Sequence, residues 1–283
     1  MLLADALPSV DYLIIGHVAR DLTSSGPRLG GTASFAALTA RALGHHPAVV
    51  TSAEADFDLS ALDGIPIVRS DVSQTTTFEN RYEGPSRAQR LLGRAGRLTA
   101  DDVPAAWRSA AIVHLAPIAD EVDPAMARGA EDSLVGVTAQ GWLRTWATDG
   151  AVHPRAWTWA REGLAAADAV VISAEDLAGD ELAIEEMAGA CRLLVVTDGP
   201  RGARVHWNGD VRRVPVAPAS VVDPTGAGDV FAAAFFSRLH ATRDPWESAR
   251  FANALAAVSV TRPGLGGAPN PEDIRRADLQ VVR

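Results

Sequence analysis

Residues 221–239 contain two aspartates and two glycines whose spacing suits the transfer of a phosphoryl group. The segment reads VVDPTGAGDVFAAAFFSRL, a β-branched run followed by a glycine-rich turn and an apolar, helix-forming stretch. Gly226 and Gly228 allow a sharp turn with no side chain above it. The amides of Gly226, Ala227 and Gly228 can then face one anion at a helix N-terminus, where the helix dipole favours negative charge. The segment therefore predicts a phosphate site.

Asp229 follows in the first turn of the predicted helix, beside the anion. A carboxylate repels a phosphate, but it is a suitable base for the proton of an attacking hydroxyl group. Taken singly, Thr225 and Asp229 would be read as helix-capping residues and the glycines as turn residues. Taken together, the residues predict that a phosphoryl group is transferred from a bound donor to a hydroxyl group.

These residues need a strand before the turn and a helix after it, and the chain alternates between the two. Short apolar runs typical of buried parallel strands occupy residues 10–16, 46–52, 65–70, 111–118, 133–139, 167–173 and 192–199. Helical patterns occupy residues 30–44 and 246–261 and begin again at Pro271. A right-handed series of βαβ units is the economical topology, and it predicts an α/β protein.

The composition excludes several classes of protein. All 26 residues in the Lys+Arg count are arginine, so neither a Walker A loop nor the protein-kinase fold, both of which need a lysine, is compatible with the chain. A net charge of -9 argues against a nucleic-acid partner. No apolar run approaches membrane-spanning length, and the single cysteine allows no internal disulfide. We expect no membrane partner and a location in the cytoplasm.

Residues 223–229, DPTGAGD, resemble the D-T-x-G-A-G-D signature of the PfkB family of carbohydrate kinases, with Pro224 in place of the common Thr. The resemblance implies a ribokinase-like fold, which is a three-layer αβα sandwich with a mainly parallel sheet and a small β lid. It implies one kinase domain over residues 1–283, with the lid around residues 70–96. It also implies that Asp229 is the base, that the amides of residues 226–228 form the anion hole, and that Asp223 orders the metal-phosphate region.

The acceptor side resembles the family at three places. Gly16 and Asp21 have the spacing of its opening G-x-x-x-x-D motif, whose aspartate holds substrate hydroxyls. The Gly30-Gly31 pair resembles the first family signature, although Phe35 stands where many members carry Asn. Residues 138–146 loosely resemble the family's D-x-N-x-R segment. With a lid arginine added, the predicted substrate-binding residues are Asp21, Gly30, Gly31, Phe35, Arg90, Gln140 and Arg144.

The donor side is predicted from the same resemblance. Residues 197–202 resemble the family's T-x-G-x-x-G nucleotide segment, and residues 173–176 stand where the family has N-x-x-E. The predicted nucleotide-binding residues are Thr197, Gly199, Gly202, Thr225, Asn253 and Gly264. Asp176 and Asp223 are the predicted metal-site residues, although Asp176 could equally be the N-terminal acid of the following helix. The implied cofactors are ATP and Mg²⁺, with a monovalent cation such as K⁺ as a further candidate.

The sequence therefore predicts an ATP-dependent kinase for a hydroxyl group of a small carbohydrate or polyol, with an inositol-like acceptor favoured. A nucleoside kinase on the same fold is the alternative, and a non-catalytic sugar-binding protein is a second one that retention of Asp229 disfavours. A dinucleotide-binding oxidoreductase is disfavoured because no G-x-G-x-x-G follows the first strand. The predicted partner is a small molecule, and the edges of the lid allow a homodimer.

Overall fold

A computed structural model describes residues 7–23, 26–83, 86–130 and 132–281. Its main feature is a nine-stranded sheet in the spatial order β15-β14-β13-β12-β9-β8-β1-β4-β5. The seven parallel strands are β1 Tyr12–Ile15, β4 Pro47–Ala53, β5 Ile67–Asp71, β8 Ile112–Leu115, β9 Leu134–Thr138, β12 Ala169–Ser173 and β13 Leu193–Thr197. The antiparallel edge consists of β14 Ala203–Trp207 and β15 Asp210–Val214.

Helices cover both faces of this sheet. They are α1 Thr32–Ala42, α2 Arg161–Ala166, α3 Glu181–Ala190, α4 Ala227–Thr242, α5 Pro245–Ser259 and α6 Pro271–Val281. Successive side chains of β1 point to opposite faces, as strand geometry requires. Tyr12 and Ile14 pack in a core shared with α1, α4 and α5, whereas Leu13 and Ile15 pack in a second core shared with α2 and α3. The predicted three-layer sandwich is confirmed.

A four-stranded sheet in the order β3-β2-β6-β7 stands apart from the main sheet. It contains β2 Ala19–Thr23, β3 Gly26–Gly30, β6 Thr77–Glu83 and β7 Ser86–Gly93. The last two strands form the antiparallel hairpin predicted within residues 70–96, although residues 84 and 85 of its turn lie outside the described residues. The other two strands were not predicted as part of the lid. They join it because β2 pairs in parallel with β6.

A buried polar cluster fastens the lid to the main sheet. His17 is fully buried in the connection from β1 to the lid, and its Nε2 lies 2.7 Å from the Gly96 carbonyl oxygen. Its Nδ1 lies 2.7 Å from the Thr76 hydroxyl. The buried Glu121 carboxylate accepts a 3.0 Å hydrogen bond from the amide of His17 and further hydrogen bonds from the amides of residues 118 and 119. The cluster therefore ties three segments at the base of the lid to the loop after β8.

A short antiparallel ribbon of β10 Arg144–Trp146 and β11 Val152–Pro154 completes the strands of the described residues. Among these residues, no helix is both long and apolar enough to cross a membrane.

Candidate active site

The glycine-rich turn leads directly into α4. Gly226 has φ +81 and precedes Ala227, the first residue of the helix, so Asp229 lies in the first turn. A Cβ atom added to Gly226 would meet three carbons of the Phe35 ring at 2.2–2.4 Å. Only glycine fits this position, because a side chain would be strained by the backbone conformation and would collide with the ring. The first turn of α4 therefore presents amide groups of the kind that bind anions.

The N-terminus of α1 lies beside that of α4. The Thr32 hydroxyl donates a 2.7 Å hydrogen bond to Oδ1 of Asp229. Immediately before Thr32, the Gly30-Gly31 pair turns the chain from the lid into α1. A Cβ atom on Gly30 would lie 2.0 Å from Oδ2 of Asp21. The two predicted signatures thus come together: Asp21 packs against the glycine pair, and Asp229 accepts a hydrogen bond from Thr32, the residue after the pair.

A cavity of about 360 Å³ opens between the lid and the glycine-rich turn. Five predicted site residues line it: Asp21, Phe35, Asp223, Thr225 and Gly264. The lid contributes five further residues that the sequence analysis did not select, namely Leu22, Thr23, Arg28, Leu29 and Asn80. One signal for Arg28 existed, because antiparallel pairing of β2 with β3 puts it opposite Asp21. Using that signal would have required assigning β2 and β3 as a hairpin.

Asp223 lies where the loop before the glycine turn meets the loop after α5. Its Oδ1 accepts a hydrogen bond from the Thr225 amide and its Oδ2 accepts one from the Gly264 amide, both at 2.9 Å. Burial is the largest single influence on the pKa of this carboxyl and raises it. The two amide hydrogen bonds and the positive charge of Arg28 outweigh burial, so the pKa lies below its ordinary value. Asp223 is therefore held as an anion at the wall of the cavity.

Two of the remaining predicted nucleotide residues, Gly202 and Asn253, meet at Val214, the last residue of β15. Thr197 ends β13, and Gly199 and Gly202 lie in the turn that leads to β14. Gly202 packs against the Val214 carbonyl oxygen, which also accepts a 2.8 Å hydrogen bond from Nδ2 of Asn253. Asn253 and residues 212–217 line a second cavity of about 380 Å³, together with Trp246, Arg250, Ala254 and Gln280.

Arg90 does not line the first cavity. Its guanidinium donates from Nε and Nη2 to the Asp149 carbonyl oxygen, at 3.2 and 2.5 Å, and lies 4.0 Å from Glu79. Its contacts therefore join the lid to the loop between β10 and β11.

Gln140, Arg144 and Asp176 form a separate cluster, and none of them lines either cavity described here. Nε2 of Gln140 lies 3.4 Å from Oδ1 of Asp176, and Nη2 of Arg144 lies 3.9 Å from the same oxygen. The other oxygen of Asp176 accepts the Ser173 amide at 2.8 Å, which completes a capping box. The buried Asp176 carboxylate thus caps the short 3-10 turn Ala174–Leu177, which precedes α3, and its metal role stays a prediction.

Comparison with known proteins agrees with this architecture. Residues 155–273 match the model of the pfkB family carbohydrate kinases. Inositol 3-kinase from Oryza sativa subsp. japonica is 40% identical over 72 residues, which are 25% of this chain and 18% of that enzyme. Inositol 3-kinase from Zea mays is 26% identical over 287 residues, which are 91% of this chain and 74% of that enzyme. The match to the rice enzyme thus spans less than a fifth of its length.

One solved structure with the same fold is a pyrophosphate-dependent kinase in the ribokinase family, complexed with a pyrophosphate analog and myo-inositol. It has a TM-score of 0.78 and 21% sequence identity, and the match covers 94% of this chain and 99% of that one. The signature at residues 223–229 thus lies within a segment that is similar to the pfkB family carbohydrate kinases, and the chain as a whole has the fold of this solved kinase.

Proposed function

We propose that the protein is an ATP-dependent kinase that phosphorylates a hydroxyl group of a small polyol or carbohydrate, with an inositol-like acceptor first. The observation that carries the proposal is the meeting of the two signatures. Asp229 lies in the first turn of α4 and accepts a hydrogen bond from Thr32. The Gly30-Gly31 pair immediately precedes Thr32 in the chain, and Asp21 packs against Gly30. A base, an anion-binding turn and a carboxylate for hydroxyl groups thereby lie close together, beside a cavity that Asp21 and Thr225 line.

In the proposed reaction, Asp229 takes the proton of the acceptor hydroxyl while its oxygen forms a bond to the transferred phosphorus. The bond from that phosphorus to the bridging oxygen of the donor breaks, and the leaving phosphate keeps the electron pair. The amides at the start of α4 stabilise the added negative charge. Asp21 and Asn80, which both line the cavity, are suited to hold the other hydroxyl groups of a polyol.

Mg²⁺, when bound, would neutralise charge on the donor phosphates. The described residues contain no group of three or more His, Cys, Asp or Glu that could hold a metal ion. A magnesium ion bound mainly by phosphates and water needs only one or two carboxylates, and Asp223 at the cavity wall fits that need. Asp176 fits it less well, because Ser173, Gln140 and Arg144 already surround its carboxylate.

Two donors are distinguishable by experiment. ATP is the donor expected for the family, and the second cavity beside Asn253 offers room for part of a nucleotide. Inorganic pyrophosphate is the second candidate, because the solved pyrophosphate-dependent kinase has the same fold over 94% of this chain. Pyrophosphate would use the anion-binding turn and leave the second cavity without a role.

The nucleoside-kinase alternative has less support. It requires an aromatic slot for a base, for which Phe35 and the tryptophans are the candidates. Phe35 is only 2% exposed, and its ring lies against the position of Gly226. The Phe35 ring therefore packs behind the glycine turn and does not stand open as one side of a slot for a base.

Purified protein should be given Mg-ATP or Mg-pyrophosphate with myo-inositol, fructose, ribose or adenosine in turn. We expect turnover with a polyol or sugar and a loss of about 10²–10⁴-fold in kcat for Asp229→Asn. Asp56→Asn, at an exposed position away from the site, is the matched control and should keep the wild-type rate. Turnover that survives in Asp229→Asn would refute the assigned base, and phosphorylation of adenosine alone would replace the acceptor class.

Three further expectations belong to this proposal. A monovalent cation such as K⁺ would raise the rate, which a comparison of potassium with sodium or choline salts tests. We place the enzyme in the cytoplasm, which localisation of a tagged chain tests. A homodimer through the lid is supported by the edge strand β3, which offers hydrogen-bonding groups to a second copy. Light scattering of the purified protein tests it.

A further inference from the structure

Thr32 has no role in the reaction as described so far, yet it makes a direct contact with the proposed base. It is the first residue of α1 and only 2% exposed. Its Oγ1 lies 2.7 Å from Oδ1 of Asp229, a residue 197 positions later in the chain. An ionised carboxylate only accepts hydrogen bonds, so the threonine hydroxyl must be the donor.

The neighbourhood of Thr32 restricts how it can move. Gly31, just before it, has φ +84, and α1 packs in the same core as α4. A β-branched side chain at the start of a helix has few χ1 conformations available. The hydroxyl is thus held in one place by α1. A carboxylate bonded to it at Oδ1 cannot rotate freely about its Cβ–Cγ bond, which fixes the direction in which Oδ2 points.

We propose that Thr32 is a positioning residue for Asp229, setting the orientation in which the carboxylate meets the acceptor hydroxyl. This inference rests on the proposed function, because it treats Asp229 as the base. The first signature rests here on Gly30 and Gly31 alone. The hydrogen bond from Thr32 to Asp229 is an additional contact made by the residue that follows them. Loss of the contact should slow the chemical step. Binding of the acceptor, which depends on Asp21 and the lid, should stay nearly unchanged.

Three variants separate positioning from packing. Thr32→Val keeps the shape of the side chain and removes the hydroxyl. Thr32→Ser keeps the hydroxyl and removes the methyl group. Thr39→Val is the matched control on the same helix, because Thr39 is fully buried and its hydroxyl has no hydrogen-bond partner among the described residues.

We expect Thr32→Val to lower kcat by about 10-fold to 100-fold, the factor that corresponds to losing a hydrogen bond to a charged group, with KM within about twofold of wild type. Thr32→Ser should recover most of the rate, and Thr39→Val should change neither constant. Wild-type kcat in Thr32→Val, or failure of Thr32→Ser to recover any rate, would overturn the positioning role.

A second measurement does not depend on turnover. Urea unfolding of Thr32→Val, Asp229→Ala and the double variant forms a double-mutant cycle. We expect Thr32→Val to lower the folding equilibrium constant about tenfold more in the wild-type background than in Asp229→Ala. Equal effects in both backgrounds would show that the two side chains do not interact and would refute the inference. If wild type phosphorylates nothing in the acceptor panel, the proposed function fails and the base-positioning role falls with it, whereas the cycle still decides the contact.

Discussion

Replacing Gly226 with alanine tests the geometry of the catalytic turn. An alanine with φ near +81 occupies the left-handed region, which costs about 1–2 kcal/mol for a residue with a Cβ atom. The added Cβ atom would lie 2.2–2.4 Å from carbons of the Phe35 ring, which is buried and cannot swing into solvent. Overpacking of this kind costs a further ~1–3 kcal/mol. Gly226→Ala should therefore lower the free energy of unfolding by about 2–5 kcal/mol.

Gly228 supplies the matched control for this substitution. It lies two residues further on, inside α4, and a Cβ atom there would meet nothing within 4 Å. Gly228→Ala should raise the free energy of unfolding by about 0.5–1 kcal/mol, because alanine is the better helix former. Urea unfolding of both variants measures the contrast directly.

The collision and the backbone strain can be separated. In a Phe35→Ala background the ring is gone, so Gly226→Ala should cost only the strain of about 1–2 kcal/mol. An unchanged cost in that background would refute the collision. A Gly226→Ala protein as stable as wild type would refute both parts of the reasoning, whatever its activity.

Three other predictions concern charge. Arg28→Met should lower kcat/KM about tenfold, because Arg28 lines the cavity and bears its charge near Asp223. Arg28 is exposed, so the free energy of unfolding should fall by at most about 1 kcal/mol. Steady-state kinetics and urea unfolding measure the two quantities. Glu121→Gln should destabilise the protein by about 3 kcal/mol. The reason is that the NH2 group of glutamine would face one of the backbone N–H groups that now donate hydrogen bonds to the buried carboxylate. Thermal unfolding tests this. Burial lowers the pKa of His114 to about 3, so the unfolded chain takes up a proton first as the pH falls below the ordinary histidine value of about 6.5. His114 alone should therefore lower the free energy of unfolding by about 2 kcal/mol from pH 8 to pH 5. The slope should be shallower in His114→Gln, as unfolding measured across that pH range would show.

Local patterns were sufficient for the parts of the fold that depend on neighbouring residues. The strand, turn and helix around residues 221–239, the glycine pair before α1 and the hairpin of β6 and β7 each have turn residues and periodicity within one short window. The pairing of β2 with β6 is different, because it joins segments more than 50 residues apart and neither strand alternates cleanly. The lid was therefore predicted with two strands of its four, and Arg28 on β3 was missed with the other two. Asn80 lies on the predicted strand β6 but was not selected as a site residue.

The same limit explains why Thr32 escaped notice. A threonine at the start of a helix is read locally as a capping residue. Nothing in the sequence relates it to Asp229, 197 positions away, until α1 and α4 bring their N-termini together. The glycine pair was detected because its conformational role is local, whereas the hydroxyl that follows it acts only through a tertiary contact.

Asp176 shows a different difficulty, in which a local role and a metal-site role call for the same residue type. A serine followed three residues later by an acid is a capping box, and it also resembles a family segment that orders a metal shell. The capping contact at 2.8 Å and the approach of Arg144 use both oxygens of this carboxylate. This carboxylate is buried, and it lines neither cavity. Asp223 also accepts a hydrogen bond at each oxygen, but it stands at the wall of the cavity, where the remaining lone pairs of its oxygens are available to a cation.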